Sequence, residues 1–363
     1  MTYETLFSNT PIDYPINDLN LSFSDYIAQS RAIIRQSRAD LGGTDSSSII
    51  DANSPFEFIP EKPTKRGVLL IHGLLDSPAI LKEIGFHLQK NGYLVRAILL
   101  PGHGTVPGHL LSVHHEQWQQ AVRYGVASLS KDVDDIFLVG ASTGATLALL
   151  HAISHPEKIA GLILLAPAIQ IKSPLARFAK WYTLFSRYWS RALWFNKDPH
   201  EIMHHTKYSS IPFNAIDQVY QLTQLLRSAQ RPHIPQFYCI SEDDITVSAA
   251  ACLDYFKKDN QPHNRFLFYS QKLRSFADPR ITVRSSLYPL LSICGFSHIG
   301  LSVPPPASFT PSPNTVYGED HLFNRLFKWH LSKTVYERLA FNPDFDEMMY
   351  IMTRFMLDCA SHV

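Results

Sequence analysis

The stretch IFLVGASTGATLALL, residues 136–150, decides how this chain folds. It opens with an unbroken apolar run, which is typical of a strand buried on both faces. The turn Gly140-Ala141-Ser142-Thr143-Gly144 then leads into a helical segment of small residues. This turn fits G-x-S-x-G, where a serine stands on a strained strand-to-helix turn and glycines allow close backbone approach. The pattern predicts Ser142 as a nucleophile, with Gly140 and Gly144 as the glycines of its turn; the alternative is an ordinary turn serine.

Apolar runs of strand length recur on both sides of this stretch and alternate with helical patterns. The predicted strands are 68–71, 93–100, 136–139, 162–165, 237–240 and 265–269. The predicted helices between them include 78–90, 116–129 and 144–155. Alternating strands and helices indicate an α/β fold, in which a mostly parallel central sheet is flanked by helices.

The composition excludes several classes of protein. The chain has 363 residues, of which 45% are hydrophobic and 18% charged, and this balance predicts a globular protein. Its 33 basic and 32 acidic residues give a net charge near +1, so we expect no nucleic-acid partner. The four cysteines form no C-x-x-C pair, which indicates neither a zinc knuckle nor a thioredoxin-type dithiol. The phosphate-binding pattern G-x-x-x-x-G-K-S/T is also missing, and we expect no metal and no cofactor.

The sequence pattern predicts neither a secretory signal nor a membrane span. Residues 1–15 lack a basic start followed by an apolar core, so they do not predict a secretory signal. The longest nearly apolar run, 159–171, is too short to span a bilayer. We therefore expect a cytoplasmic protein, either unattached or peripheral to a membrane.

An acidic loop supplies the carboxylate that would orient a catalytic base. A nucleophile on a strand-to-helix turn predicts the chain order serine, acid, histidine. Asp243 and Asp244 directly follow the predicted strand 237–240, so they lie at the sheet edge where Ser142 also lies. We favour Asp244 because the pattern Asp-x-x-Val begins there, with Asp243 as the alternative. The acid that is not used is expected to be solvated or to cap a helix.

In this chain order, the catalytic base must follow both Ser142 and the acid. A serine hydroxyl is a weak nucleophile at neutral pH, and histidine is the usual group that removes its proton. His298 lies in the loop Cys294-Gly295-Phe296-Ser297-His298, after the last predicted strand. We predict His298 as the base and keep His321 as the alternative.

Two backbone N–H groups are needed to stabilise the oxyanion of an acyl-transfer reaction. One should belong to Thr143, the residue after the nucleophile. The other should come from the loop after the first predicted core strand, where we choose Leu74. His72 in this loop is expected to be a buried histidine that ties the loop through hydrogen bonds.

Taken together, these motifs resemble the α/β-hydrolase superfamily, in its carboxylesterase, monoacylglycerol lipase and serine aminopeptidase-like group. The residues that carry the resemblance are His72-Gly73-Leu74, Pro101-Gly102-His103-Gly104, Trp118, Gly140-Ala141-Ser142-Thr143-Gly144, Asp244 and His298. The resemblance covers about residues 66–300, and it implies a structural role for His103. One departure is the separation of 54 residues between Asp244 and His298, which predicts an insertion within 272–281.

The sequence pattern and the resemblance together suggest a domain organisation, although the resemblance itself does not explain residues 1–66 or the tail after about 305. We predict an N-terminal extension at 1–66 with a helix and a short strand, a hydrolase core at 67–167 and 232–363, and a helical cap at 168–231. The extension is either a strand added to the sheet or an arm for a partner. Segment 170–197 is rich in aromatic and basic residues and contains no acid. It is either a cap helix that buries its aromatics over the site or an interfacial helix that contacts anionic lipid.

The predicted function is hydrolysis of a carboxylic ester through a Ser-His-Asp triad. Ser142 attacks the acyl carbon, His298 transfers the proton, and Asp244 orients His298. An aromatic-lined entrance favours an apolar acyl group, so the expected partner is a small ester or a lipid such as a monoacylglycerol. The alternatives are an aminopeptidase or amidase, an acyltransferase, and a non-catalytic binding protein with the same fold.

Overall fold

The computed structural model describes most of the chain. The residues described are 7, 9–38, 46–173, 176, 178–179, 193–196, 206–272, 274–298, 300–318 and 335–360. Its strands are β1 (Phe56–Phe58), β2 (Arg66–Ile71), β3 (Leu94–Ile98), β4 (Asp135–Ala141), β5 (Ile159–Leu165), β6 (Trp194–Asn196), β7 (Ile211–Pro212), β8 (Gln236–Ser241), β9 (Arg265–Ser270), β10 (Ile281–Ser285), β11 (Thr315–Tyr317) and β12 (Val335–Glu337). Its helices are α1 (Phe23–Ser37), α2 (Ser46–Asn53), α3 (Lys82–Lys90), α4 (His115–Leu129), α5 (Thr143–Ser154), α6 (Phe213–Ser228), α7 (Ala249–Lys257) and α8 (Phe345–Ala360).

Eight of these strands form one central sheet in the order β1-β3-β2-β4-β5-β8-β9-β10. Only the β1–β3 pair within this sheet is antiparallel, and every other neighbouring pair is parallel. Strand β5 is buried along its whole length, as an unbroken apolar run requires. The predicted α/β fold is therefore confirmed, and each predicted core strand is present.

Helices cover both faces of the sheet. A Cβ on Gly85 of α3 would lie 2.9 Å from Leu70 of β2, whereas one on Gly125 of α4 would lie 2.8 Å from Leu69. Successive residues of a strand point to opposite faces, so α3 and α4 pack on opposite sides. Helix α5 packs beside α4, and α8 packs beside α3. The sheet is thus buried between two helical layers, and its carboxyl edge is left for the loops that carry the site.

One strand of the central sheet was not predicted. Strand β10 pairs in parallel with β9 and forms the last position of the sheet. It lies between the acid and the histidine along the chain, next to the predicted insertion 272–281, and it accounts for part of their long separation. Its residues are half-buried or exposed, so its sequence lacks the apolar run that identified the other strands.

The N-terminal segment contributes to the sheet rather than standing apart from it. Strand β1 pairs with β3, which is the strand addition that the sequence left open. The hydroxyl of Tyr26 in α1 donates to the carbonyl of Leu99 at 3.1 Å and accepts from its N–H at 3.0 Å. The hydroxyl of Tyr14 accepts from the N–H of Gly102 at 2.8 Å. These bonds fasten the loop that follows β3, close to the site.

The predicted division into extension, core and cap stays a prediction. Residues 180–192 of the aromatic segment and the alternative histidine His321 lie outside the described residues. Helix α6, from the second half of the predicted cap, packs against α5. Within the described ranges, no helix combines the length and the apolar character that crossing a membrane requires.

Candidate active site

Ser142 occupies a sharp turn between β4 and α5. Its backbone has φ of 53° and ψ of −115°, in the left-handed half of conformational space that side chains rarely adopt. A Cβ on Gly140 would lie 2.4 Å from the backbone nitrogen of Ala145, and one on Gly144 would lie 2.1 Å from the carbonyl oxygen of Ile71. Neither position has room for a side chain, which is the physical reason for both glycines in the motif.

The structure brings Ser142, His298 and Asp244 together at the carboxyl edge of the sheet. His298 Nε2 accepts from the Ser142 hydroxyl at 2.8 Å. His298 Nδ1 donates to Asp244 Oδ2 at 2.6 Å. The imidazole therefore connects a hydroxyl to a carboxylate, although the acid and the histidine are 54 residues apart in the chain.

The carboxylate of Asp244 is completely buried and held in a fixed orientation. Its second oxygen, Oδ1, accepts the N–H groups of Thr246 at 2.8 Å and Val247 at 3.0 Å. Burial by itself would raise the pKa of Asp244, but His298 and these two N–H groups hold it below its usual value. The group is therefore ionised in the folded protein, as an acceptor for an imidazole N–H must be.

Asp243 has a different environment from its neighbour, and the expectation of a solvated or capping side chain is wrong for it. Its carboxylate is buried and accepts from the hydroxyl of Ser286 at 2.5 Å, the hydroxyl of Ser241 at 3.1 Å and the amide of Gln271 at 2.8 Å. It also accepts the backbone N–H of Phe296, two residues before His298. Burial raises the pKa of this carboxyl, against the effect of these donors.

The loop that carries His298 is anchored through Phe296. The phenyl ring is fully buried between Tyr269 of β9, at 4.8 Å between ring centroids, and Tyr288, at 5.8 Å. Beside it, a Cβ on Gly295 would lie 3.1 Å from the carboxyl carbon of Asp243. The sequence motif identified the histidine but gave no signal for this anchor.

The two predicted oxyanion groups lie beside the nucleophile. Leu74 and Thr143 both line the cavity that contains Ser142. Among the backbone hydrogen bonds of the described residues, none uses the N–H of Leu74 or of Thr143. Leu75 follows with φ of 68°, so the loop turns sharply directly after Leu74. The arrangement leaves two donors for a carbonyl oxygen.

Two buried histidines support this loop instead of acting in the cavity. His72 donates through Nδ1 to the carbonyl of Gly73 at 2.8 Å and accepts the N–H of Leu100 through Nε2 at 3.0 Å. It therefore joins the oxyanion loop to the loop after β3, as expected. Burial lowers the pKa of His72 to about 4. His103 packs 5.0 Å from His72, and burial lowers the pKa of His103 to about 3.

A cavity of about 320 Å³ opens beside Ser142 and His298. This volume suits a small ligand, and the described lining is mostly apolar. Ile171, Ala176 and Phe195 line it from the predicted cap segment. These described parts of 170–197 therefore face the cavity, as the interpretation of a cap over the site requires.

Three charged residues in this lining, Asp76, Lys207 and Arg338, were missed from the sequence. Asp76 and Lys207 form an ion pair, with 3.2 Å between Lys207 Nζ and Asp76 Oδ1. Asp76 follows the oxyanion loop by two residues, so its proximity to the site had a sequence signal. Lys207 comes from the predicted cap, and no local pattern indicates that it pairs with Asp76.

Comparisons with known proteins identify the family of the chain. The profile of the family "Serine aminopeptidase, S33" matches residues 62–271, more than half of the chain. A thermostable monoacylglycerol lipase from Bacillus sp. (strain H-257) is 33% identical over 105 residues, which is 29% of this chain and 42% of the lipase. A carboxylesterase from Bacillus subtilis (strain 168) is 31% identical over 120 residues, 33% of this chain and 47% of the esterase.

These matches span less than half the length of either curated relative. Among solved structures, that of the metagenome-derived lipolytic enzymes LipS and LipT aligns with a TM-score of 0.51 at 20% identity, covering 60% of this chain and 87% of that one. This likeness concerns the fold. The length of the family match decides the assignment: the chain belongs to the serine aminopeptidase S33 family of α/β-hydrolases.

Proposed function

We propose that this protein is a serine hydrolase that cleaves carboxylic esters, with Ser142, His298 and Asp244 as its catalytic triad. The observation that carries the proposal is the position of His298, which bonds to the Ser142 hydroxyl at 2.8 Å and to Asp244 at 2.6 Å. A histidine held between a hydroxyl and a buried carboxylate can take the hydroxyl proton and return it to a leaving group. The similarity to a lipase and a carboxylesterase supports esters as the substrate class.

The reaction proceeds in two halves. Ser142 Oγ forms a bond to the acyl carbon while its proton moves to His298 Nε2. The N–H groups of Leu74 and Thr143 stabilise the negative oxygen that forms. The bond to the alcohol breaks, and the alcohol leaves with the proton from His298. Water then repeats the sequence on the acyl-enzyme, which releases the acid and restores Ser142.

The cavity favours an ester over a peptide with an N-terminal amine. An aminopeptidase needs an acid that binds the substrate ammonium. Among the described residues of the lining, Asp76 is the one carboxylate, and Lys207 already neutralises it. The apolar remainder of the lining suits an acyl chain of modest length.

The test compares wild type with Ser142→Ala on p-nitrophenyl esters of increasing acyl length and on the matching p-nitroanilides. We expect hydrolysis of the esters, and a fall in kcat of at least about 10⁴-fold in the variant. Ser154→Ala is the matched control, because Ser154 is an exposed serine at the far end of the same helix α5. Cleavage of anilides alone would favour the amidase alternative, and transfer of the acyl group to added glycerol would favour the acyltransferase. No turnover of any probe by folded wild type would contradict the proposal.

A further inference from the structure

The cavity beside Ser142 contains a charged pair that the mechanism above does not use. Asp76 and Lys207 line the same cavity as Ser142 and His298. The Asp76 side chain is 9% exposed and that of Lys207 is 31% exposed. Removing two charges from water is costly, and such a pair contributes little to stability compared with apolar residues of similar size. A charged pair in a mostly apolar cavity therefore points to recognition of a ligand.

The pair lies next to the position of the scissile bond. Asp76 Oδ2 and Ser142 Cβ lie 3.1 Å and 3.2 Å from the point where a Cβ on Gly73 would stand. The carboxylate and the nucleophile therefore flank the same glycine. A group attached close to the carbonyl of a bound ester comes within reach of the pair.

Lys207 is held over Asp76 by its neighbour in the chain. The N–H of Tyr208 donates to the carbonyl of Leu75 at 2.9 Å, which joins this segment to the oxyanion loop. The hydroxyl of Tyr208 donates to the carbonyl of Gly102 at 3.1 Å and accepts the N–H of Thr105 at 2.8 Å. The Tyr208 side chain is buried, so Lys207 extends from a fixed backbone.

The chemistry of the pair selects a neutral hydroxyl group. The ammonium has three N–H donors and the carboxylate has several acceptor sites, and their mutual contact uses only part of them. A hydroxyl can accept from Lys207 and donate to Asp76 while the pair stays intact. A charged ligand group would be attracted by one member of the pair and repelled by the other, because the two members carry opposite charges. Arg338, the third charged residue of the described lining, is exposed.

We propose that Asp76 and Lys207 form a specificity-determining subsite for a neutral hydroxyl group that the substrate carries near its scissile carbonyl. The proposal rests on the ester hydrolysis proposed above. An ester can carry such a hydroxyl on its alcohol part or on its acyl part, and the experiment separates these two sources.

The experiment measures kcat/KM for three soluble esters that share one carbon skeleton: propyl butanoate, 1-monobutanoylglycerol and propyl 3-hydroxybutanoate. Wild type is compared with the double variant Asp76→Leu/Lys207→Met, which removes both charges together. We expect wild type to prefer one hydroxylated ester over propyl butanoate by about 10- to 100-fold, because hydrogen bonds to charged groups are strong. The double variant should lose that preference. The ratio of two esters on one enzyme does not depend on the fraction of folded protein.

Lys65→Met/Asp134→Leu is the matched control. It removes an exposed lysine–aspartate pair at the opposite edge of the sheet, and it should keep the wild-type ratio. Lys207→Met alone is the second variant, and it should also reduce the preference.

Three results would overturn the proposal. Wild type could treat all three esters alike, or the double variant could keep the preference. A preference for 3-aminopropyl butanoate that Asp76→Leu abolishes would assign the carboxylate to a cationic group instead. In each of these cases propyl butanoate is still cleaved. Failure of wild type to cleave any ester would contradict the proposed ester hydrolysis itself, and the subsite proposal would fail with it.

Discussion

The two halves of the candidate site differ in what holds them in place. The serine half, residues 72–76 and 140–144, is fixed by close backbone contacts that leave no space, together with the hydrogen bonds of the buried His72. A Cβ on Gly144 would lie 2.1 Å from a carbonyl oxygen of β2. The histidine half, residues 241–244 and 294–298, is fixed by side-chain hydrogen bonds that meet at the carboxylate of Asp243.

This difference predicts different consequences of substitution. A steric contact between backbone segments cannot relax without moving a strand or a helix, so changes in the serine half should affect folding. A hydrogen-bond network loses single bonds while the rest persists, so changes in the network around Asp243 should affect the rate in a graded way. Three experiments test the comparison, starting with the largest expected effect.

The strongest test of the serine half is Gly144→Ala. The added methyl group would overlap the carbonyl of Ile71, which belongs to the centre of the sheet. We expect the free energy of unfolding to fall by more than about 4 kcal/mol, or no folded protein at all. The measurement is urea unfolding followed by circular dichroism.

Gly92→Ala is the control for Gly144→Ala. Gly92 has φ of 86°, but a Cβ there would have nothing within 4 Å. Only the cost of the left-handed backbone, about 1 kcal/mol, should appear. If Gly144→Ala were no less stable than Gly92→Ala, close packing would not be what holds the serine half.

The pH dependence of stability provides the second test of the serine half. Burial lowers the pKa of His72 to about 4, whereas an unfolded histidine has a pKa near 6.5. Between these values the unfolded chain binds a proton and the folded chain does not, so the free energy of unfolding falls as pH falls. We expect His72 alone to account for about 3 kcal/mol between pH 6.5 and pH 4.

The measurement is urea unfolding of wild type and His72→Gln at a series of pH values from 7 to 4. The variant should be less stable at pH 7, but its free energy of unfolding should change less with pH. The difference in slope should correspond to at most one proton taken up on unfolding. His233→Gln is the control, because His233 is exposed. An unchanged pH dependence in His72→Gln would show that this histidine is not kept neutral by the fold.

The same contrast explains how much of the molecule could be predicted from its sequence. The parallel sheet and the turn at Ser142 depend on residues that are adjacent in the chain, and their apolar runs and glycines are visible locally. Strand β10 was missed because its half-exposed residues form no apolar run. The pairing of Asp76 with Lys207 was missed because the two residues meet only through the folding of the cap segment onto the oxyanion loop.

The two adjacent acids show where sequence reasoning stops. Chain order and the pattern Asp-x-x-Val favoured Asp244 as the partner of His298, and Asp244 is the acid that bonds to it. The pattern carries no information on Asp243, because its partners come from separate segments: Ser286, Gln271 and Phe296. Only the folded chain shows that the second acid is buried under the histidine loop.

The histidine half is tested by Asp243→Asn, the smallest of the three expected effects. The amide has a similar shape, but it offers one acceptor oxygen where the carboxylate receives four donors, among them the N–H of Phe296. Without these bonds the loop that carries His298 is less firmly held, so His298 Nε2 is less well placed to accept the proton of Ser142, whereas substrate binding is little affected. We therefore expect kcat to fall about tenfold while KM stays within about twofold of wild type. Asp244→Asn, which removes the acceptor itself, should lower kcat by about 10⁴-fold.

Glu242→Gln is the matched control, because this neighbouring acid bonds to Arg274 and Ser270 and 30% of its side chain is exposed. Its kcat should stay within about twofold of wild type, as expected for a partly exposed ion pair. Counting active sites by burst titration separates a slower enzyme from a smaller amount of folded enzyme. A loss of stability in Asp243→Asn without a change in kcat per active site would make Asp243 a purely structural residue. An equal loss of kcat in Glu242→Gln would mean that the acidic loop acts through its charge and not through the bond to Phe296.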